Sequence, residues 1–535
     1  MAFNSRVSFA ARLQTTLTII FLALTAPAFA QSTAFKQAVA TAAAKDEAIA
    51  AFYQERGYKP IWTGNGNRDK QRRSALLKAA GRAGLHGLPT EQYDPDEIKA
   101  RIRAAKGAEQ LGQLEVYLSS VFLNYARDVQ TGVLVPSRVD SEIVREVPYR
   151  GRQATLAAFA KSSASGFIKS LPPKSAEYTR LMKEKLELEK LLSRGGWGAK
   201  VPAKSLKPGA SGEAVVILRN RLIALGFMGR STTQSYDASI QEGVQRFQQA
   251  HGLATDGVAG PGTMSEINQS AQTRLTQVIV AMERERWINK PLGDRHIWVN
   301  LTDFSAQVRD NGKVTFQTRS VIGANDEDRR SPEFSDVMEF MVINPSWYVP
   351  RSIATKEYLP MLKRNPNAVS HLEITDSRGR KVNRGAVNFA SFTEKSFPFN
   401  MRQPPSRGNA LGLVKFMFPN RYNIYLHDTP AKNLFSREVR AFSHGCIRLN
   451  DPFDFAYALL AKQTSDPEGF FQSRLKTGAE SRVDLDKPVP VHLVYRTAFT
   501  SPTGELRFRR DIYGRDARIW NALQREGVAL RAVRG

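Results

Sequence analysis

The chain has 535 residues, 42% of them hydrophobic, with 77 lysines and arginines against 51 acidic residues, seven histidines and one cysteine. That length allows several domains of about 100–200 residues each, and a lone cysteine excludes a framework of internal disulfides. The formal charge of +26 favours anionic surroundings. No basic stripe interleaved with aromatics accompanies it, which argues against nucleic acid. An envelope polymer or an anionic membrane face fits the balance better, and a generally basic composition without a specific partner fits as well.

Residues 1–30 have the form of a secretory signal. Arg6 and Arg12 stand at the basic end, Leu17 to Leu24 is apolar, and Ala28-Phe29-Ala30 precedes Gln31 as a small-residue cleavage site. The apolar run is too short for a membrane span, which needs roughly 20 residues. The expectation is an exported, periplasmic protein that begins near Gln31 and keeps a charge of +24. Residues 34–200 read as a helical scaffold domain. Ile49, Phe52 and Tyr53 mark one helix ending near Gly57, and Leu111, Leu114, Leu118, Val121, Phe122, Tyr125 and Val129 stripe one face of a long one. Nothing there carries chemistry, and His86 reads as a loop or packing residue. Arg194-Gly195-Gly196-Trp197-Gly198 breaks the pattern as a linker.

Residues 206–270 read as a small three-helix unit. Val215, Leu218, Leu222 and Leu225 form a stripe ending at Gly226; Ile240, Val244 and Phe247 form a second beginning beside Asp237; a third helix starts near Thr263. Beyond Trp287 the period changes to strands, at Ile297–Leu301, Val337–Ile343, Lys415–Phe418, Arg421–Leu426 and Val489–Tyr495. Asp310-Asn311-Gly312-Lys313 is a hairpin signal. Residues 275–500 are therefore expected to form a β-sandwich or barrel-like catalytic domain, and 501–535 a C-terminal extension. A charged, partly helical insertion at 351–405 is expected to lie over the site as a lid.

The chemistry gathers around Cys446, in the run Ser443-His444-Gly445-Cys446-Ile447-Arg448-Leu449, with His427 nineteen positions upstream. A buried structural cysteine is the plainer reading, but the polar and permissive neighbours suit a tight, electropositive turn that favours thiolate. His427, ending Tyr425-Leu426-His427-Asp428, is the candidate base and proton shuttle. His444 could contact substrate or steady the turn. Gly445 would let the backbone amides approach a developing oxyanion, with Ser443 beside it. Arg448 could hold a substrate carboxylate, or pair structurally with Asp451 or Asp454. His427, Asp428, His444 and Cys446 lack the spacing of a zinc site, so neither metal nor cofactor is expected.

Two resemblances follow from these motifs. L-x-x-x-L-x-x-L-G from Leu218, F-Q-x-x-x-G-L from Phe247 and D-G-x-x-G-x-x-T from Asp256 resemble the three-helix peptidoglycan-binding domain. The histidine, the spacing and S-H-G-C-I-R-L resemble the L,D-transpeptidases of the YkuD type. Gln403-Pro404-Pro405, Gly408-Asn409-Ala410-Leu411-Gly412, Lys415-Phe416-Met417-Phe418-Pro419-Asn420 and Asp511-Ile512-Tyr513-Gly514-Arg515-Asp516 look like its large Gram-negative branch. The resemblance implies an α+β, multidomain periplasmic enzyme that builds 3→3 peptidoglycan cross-links through a thioacyl intermediate on Cys446. It implies peptidoglycan stem peptides as partners, a backbone carbonyl at Asp428 as third catalytic member, and covalent inhibition by carbapenems. Alternatives are an L,D-carboxypeptidase, attachment of an envelope protein to the wall, and an inactive wall-binding scaffold.

Overall fold

The computed structural model describes residues 31–501 and 503–530. The expected signal segment, 1–30, lies outside the described residues, as does the end of the expected C-terminal extension. Among the described residues no helix is long and apolar enough to cross a membrane.

The N-terminal half is helical because apolar residues recur at three- and four-residue steps. In the helix Ala108–Thr131, Leu114, Leu118, Val121, Phe122, Tyr125 and Val129 of the stripe read from sequence are buried, and Leu111 at its start is half-buried. Phe122 stacks on Phe159 at 4.1 Å and Phe159 on Trp62 at 5.2 Å, centroid to centroid. Glu115 is buried on the same helix and accepts from the amides of Ile61, Trp62 and Thr63 and from the Tyr53 hydroxyl. The helix Ala271–Trp287 and the C-terminal residues Ala498, Phe508, Ile519 and Leu523 belong to this same core. The chain thus returns to its N-terminal region after building the sheet.

Helices Glu213–Ala224, Ala238–His251 and Pro261–Ile267 form the small unit around Val215, Leu218, Leu222, Val244 and Phe247. Asp237 caps the second by accepting from the amides of Ser239 and Ile240.

The sheet comprises β1 (Arg295–Asn300), β2 (Ser305–Asp310), β3 (Lys313–Gly323), β4 (Phe334–Ile343), β8 (Val414–Met417), β9 (Leu426–His427), β10 (Ala441–Ser443), β11 (Ile447–Leu449) and β12 (Ser481–Val494). Between β4 and β8 the chain forms β5 (Trp347–Tyr348), β6 (Glu373–Thr375) and β7 (Asn400–Gln403), a separate three-stranded sheet. The strand order is β10-β3-β11-β9-β8-β4-β12-β1-β2, and β2 pairs back to β3. The ladder therefore closes on itself around Ile297, Val299, Met341, Phe416, Leu426, Ile447 and Leu493. The β2–β3 hairpin turns through Asn311 and Gly312, both at positive φ (50° and 78°), as a two-residue type I′ turn requires.

Two elements depart from the sequence reading. The strand expected over Arg421–Leu426 shrinks to Leu426–His427, because the Asn420 side chain accepts from the amides of Tyr422 and Ile424 and donates to the carbonyls of Phe418 and Ile424. That side chain supplies the turn with the bonds a ladder would have given. The strand expected at Val489–Tyr495 is the second half of β12, which starts at Ser481 and shifts register between Asp484 and Val489. The 351–405 segment has a core of its own, built from Ile353, Leu359, Leu362, Phe389, Phe397 and Met401.

Candidate active site

The register of three neighbouring strands assembles the site. Lys415 on β8 stands opposite His427 on β9, and His427 stands opposite Arg448 on β11. Adjacent positions across a sheet share a face, so the imidazole lies between two cations. These residues, with Tyr425, Ser443, His444 and Cys446, line a cavity of about 580 Å³. Tyr348 of β5 and Ile353, Lys356 and Glu357 of the insertion complete the lining.

His427 is buried, and its Nδ1 faces the carbonyl of Asp428 at 2.5 Å. This leaves Nε2 for proton exchange. Burial pushes the imidazole down to about 3, helped by the charges of Arg448 and Lys415 and opposed by the carbonyls of Asp428 and Leu411. The Asp428 side chain is engaged away from the imidazole. One carboxylate oxygen accepts from Leu413 N at 2.9 Å and the other from Lys432 Nζ at 2.7 Å, bracing the chain that follows the histidine.

Cys446 is half-buried, and its thiol donates to the carbonyl of Asn423 at 3.4 Å. The electropositive turn expected to favour thiolate is present, but desolvation outweighs it. Burial pushes the thiol up to about 11, against the lowering effect of Tyr425, through its amide and hydroxyl, and of Arg448. Both shifts favour a thiol beside a neutral imidazole at neutral pH.

Gly445 adopts φ +105°, where a side chain is strained, and a Cβ there would lie 3.0 Å from Ile424 Cδ1. Ser443 staples the turn from inside: its hydroxyl donates to the Cys446 carbonyl at 2.6 Å and accepts from Gly445 N at 3.1 Å. His444 turns outward to the insertion, with Nε2 2.5 Å from Glu357 Oε1. Glu357 also accepts from Arg329 at 2.8 Å, and Lys356 pairs with Asp328 at 2.7 Å. The insertion is thereby fastened to the rim. Among the described residues Arg448 makes no ion pair; Asp451 is engaged with Thr318 and Asn450 instead. Its Nε is buried without a partner, and the guanidinium lines the cavity. Burial lowers its pKa.

Sequence reasoning passed over Tyr425, Lys415, Arg329 and Glu357. Tyr425 had a signal, since a residue two positions from His427 on a strand shares its face. The others are brought in by sheet register and by the folding of the insertion. Among the described residues no group of three or more His, Cys, Asp or Glu could hold a metal ion.

Residues 294–472 match the family described as "L,D-transpeptidase catalytic domain", of the YkuD type. The chain carries an L,D-transpeptidase catalytic domain. Residues 211–267 match a "Putative peptidoglycan binding domain", and residues 47–184 a scaffold domain. A "Putative L,D-transpeptidase" of Haemophilus influenzae is 32% identical over 259 residues, covering 47% of this chain and 51% of that protein. A zinc D-Ala-D-Ala carboxypeptidase of Streptomyces albus G is 40% identical over 78 residues, 14% of this chain and 30% of that one. The chain thus spans about half the length, or less, of these curated relatives. A crystal structure of an L,D-transpeptidase from Stackebrandtia nassauensis is 14% identical, covering 55% of this chain and 96% of that one, with a TM-score of 0.20.

Proposed function

We propose that this protein is a peptidoglycan L,D-transpeptidase of the cell envelope that forms 3→3 cross-links through a thioacyl enzyme on Cys446. The observation that carries the reading is the arrangement at the cavity: thiol, imidazole and unpaired guanidinium all line it, with the imidazole Nδ1 on a backbone carbonyl.

A peptide stem enters under the insertion, and Arg448 holds a carboxylate of the stem by a bidentate pair. Sγ attacks the carbonyl of the third stem residue while its proton passes to His427 Nε2. A weak acid and a weak base exchange that proton as the carbon–sulfur bond forms, not before it. Amides of the 444–446 turn receive the oxyanion. Collapse breaks the C–N bond, and His427 returns the proton to the departing D-alanine amine. The amine of a second stem then attacks the thioester, gives its proton to His427, and restores the thiol as the new amide forms. The three-helix unit fits a role in holding the wall polymer. Carbapenems, which offer a strained acyl carbon to the same thiol, are expected to acylate Cys446.

The test is to incubate the full chain and its Cys446→Ala variant with disaccharide tetrapeptides and to identify products by mass spectrometry. Dimers lacking one D-alanine support the reading. Monomeric tripeptides alone replace it with hydrolysis, and the absence of any cysteine-dependent product rejects both.

A further inference from the structure

Behind the catalytic turn lies a buried polar chain that the proposed reaction does not use. Ser331, fully buried between β3 and β4, donates its hydroxyl to the Gly445 carbonyl at 2.7 Å and accepts from Gly323 N at 3.0 Å. A hydroxyl has one proton to give, and here it is given to the residue that precedes the nucleophile. The fit is close: a Cβ on Gly323 would lie 2.0 Å from the Arg329 carbonyl and 2.7 Å from Ser331 N.

Ser331 is in turn gripped by the C-terminal segment. Its amide donates to the Tyr513 hydroxyl at 3.4 Å, and that hydroxyl donates to the Gly323 carbonyl at 2.6 Å. Its carbonyl accepts from Arg515 Nη2 at 2.9 Å. Arg515, fully buried, also bonds Glu142 of the N-terminal region at 2.9 Å. Tyr513 N donates to the Tyr495 hydroxyl at 2.7 Å, and that hydroxyl donates to Asp511 at 2.6 Å.

The chemical consequence follows from peptide planarity. The Gly445 carbonyl and the Cys446 N–H belong to one trans unit and point in opposite directions. A carbonyl drawn inward to Ser331 therefore turns the Cys446 N–H outward, toward the cavity. Ser443 holds the peptide units on either side, at Gly445 N and the Cys446 carbonyl, but Ser331 holds the one that matters for this N–H. We infer that Ser331, held in place by Tyr513 and Arg515, is a positioning residue that aims the Cys446 amide at the oxyanion. The inference rests on the thioacyl reading above, and it makes the C-terminal segment part of the catalytic apparatus.

Two reagents separate positioning from general damage. Acylation by a carbapenem needs the oxyanion donor; alkylation by iodoacetamide needs the thiol alone. In the full chain, Ser331→Ala is expected to slow carbapenem acylation by about tenfold or more, short of the roughly 10²–10³ seen when an oxyanion donor is deleted outright. Tyr513→Phe, which keeps the ring, is expected to do the same to a smaller degree. Both variants should alkylate at Cys446 within about twofold of the wild type. Unchanged acylation in both variants overturns the inference, and so does a parallel fall in acylation and alkylation, which marks structural loss. A wild type that alkylates but forms no carbapenem adduct rejects the thioacyl reading itself, and the inference with it.

Discussion

The protonation state of the resting site can be read from the pH dependence of Cys446 alkylation. Burial lifts the thiol from 9.0 to about 11 and lowers His427 from 6.5 to about 3, so neither group titrates between pH 5 and 8. At pH 7 the thiolate fraction is then about 10⁻⁴, against about 10⁻² for a thiol left at its ordinary value. The rate with iodoacetamide should therefore rise about tenfold per pH unit from pH 6 to 9, and at any one pH lie about a hundredfold below that of an unperturbed thiol. Removing the guanidinium with Arg448→Gln should slow alkylation further, because its charge lowers the thiol pKa. Intact-mass spectrometry across a pH series in constant ionic strength gives the profile directly. A plateau between pH 5 and 8 would refute the reasoning, since it is the signature of a preformed thiolate–imidazolium pair.

Three substitutions probe the surrounding structure. Glu357→Gln weakens the pairing that fastens the insertion to His444 and Arg329, and should speed alkylation of Cys446 severalfold at constant pH; an unchanged rate would mean that the insertion does not limit access. Asp428→Asn keeps the backbone carbonyl that receives His427 Nδ1, so carbapenem acylation should stay within about threefold of wild type, whereas a hundredfold loss would give the carboxylate a direct role. Glu115→Ala strips a buried acceptor from three amides and the Tyr53 hydroxyl and should cost roughly 3 kcal/mol or more in thermal or denaturant unfolding. A loss under 1 kcal/mol would show that those donors find other partners.

What the chain revealed in advance was local. The Leu111–Val129 stripe, buried from Leu114 onward, the Asn311-Gly312 turn and the cap at Asp237 depend on residues a few positions apart, and each stands where its pattern put it. The linear run from Ser443 to Arg448 likewise marked the turn that lines the cavity. Other features depended on long-range placement. Lys415 and Glu357 reach the site through strand register and the fold of the insertion, which no spacing in the sequence encodes. The Arg421–Leu426 strand failed because a single side chain, Asn420, competes for the backbone. The thiolate expectation is opposed by burial of the thiol, because neighbouring charge is visible in a sequence and burial is not. Ser331 carried no sequence signal at all; its importance comes from Tyr513 and Arg515, more than 180 positions away.

The central claim is that Cys446 is the acylated nucleophile, and the most direct measurement is the intact mass of the full chain after exposure to a carbapenem, followed by peptide mapping. The account predicts one adduct per chain on the peptide containing Cys446, absent in Cys446→Ala and slowed in His427→Gln. No adduct on the wild type, or an adduct that persists in Cys446→Ala, would contradict it.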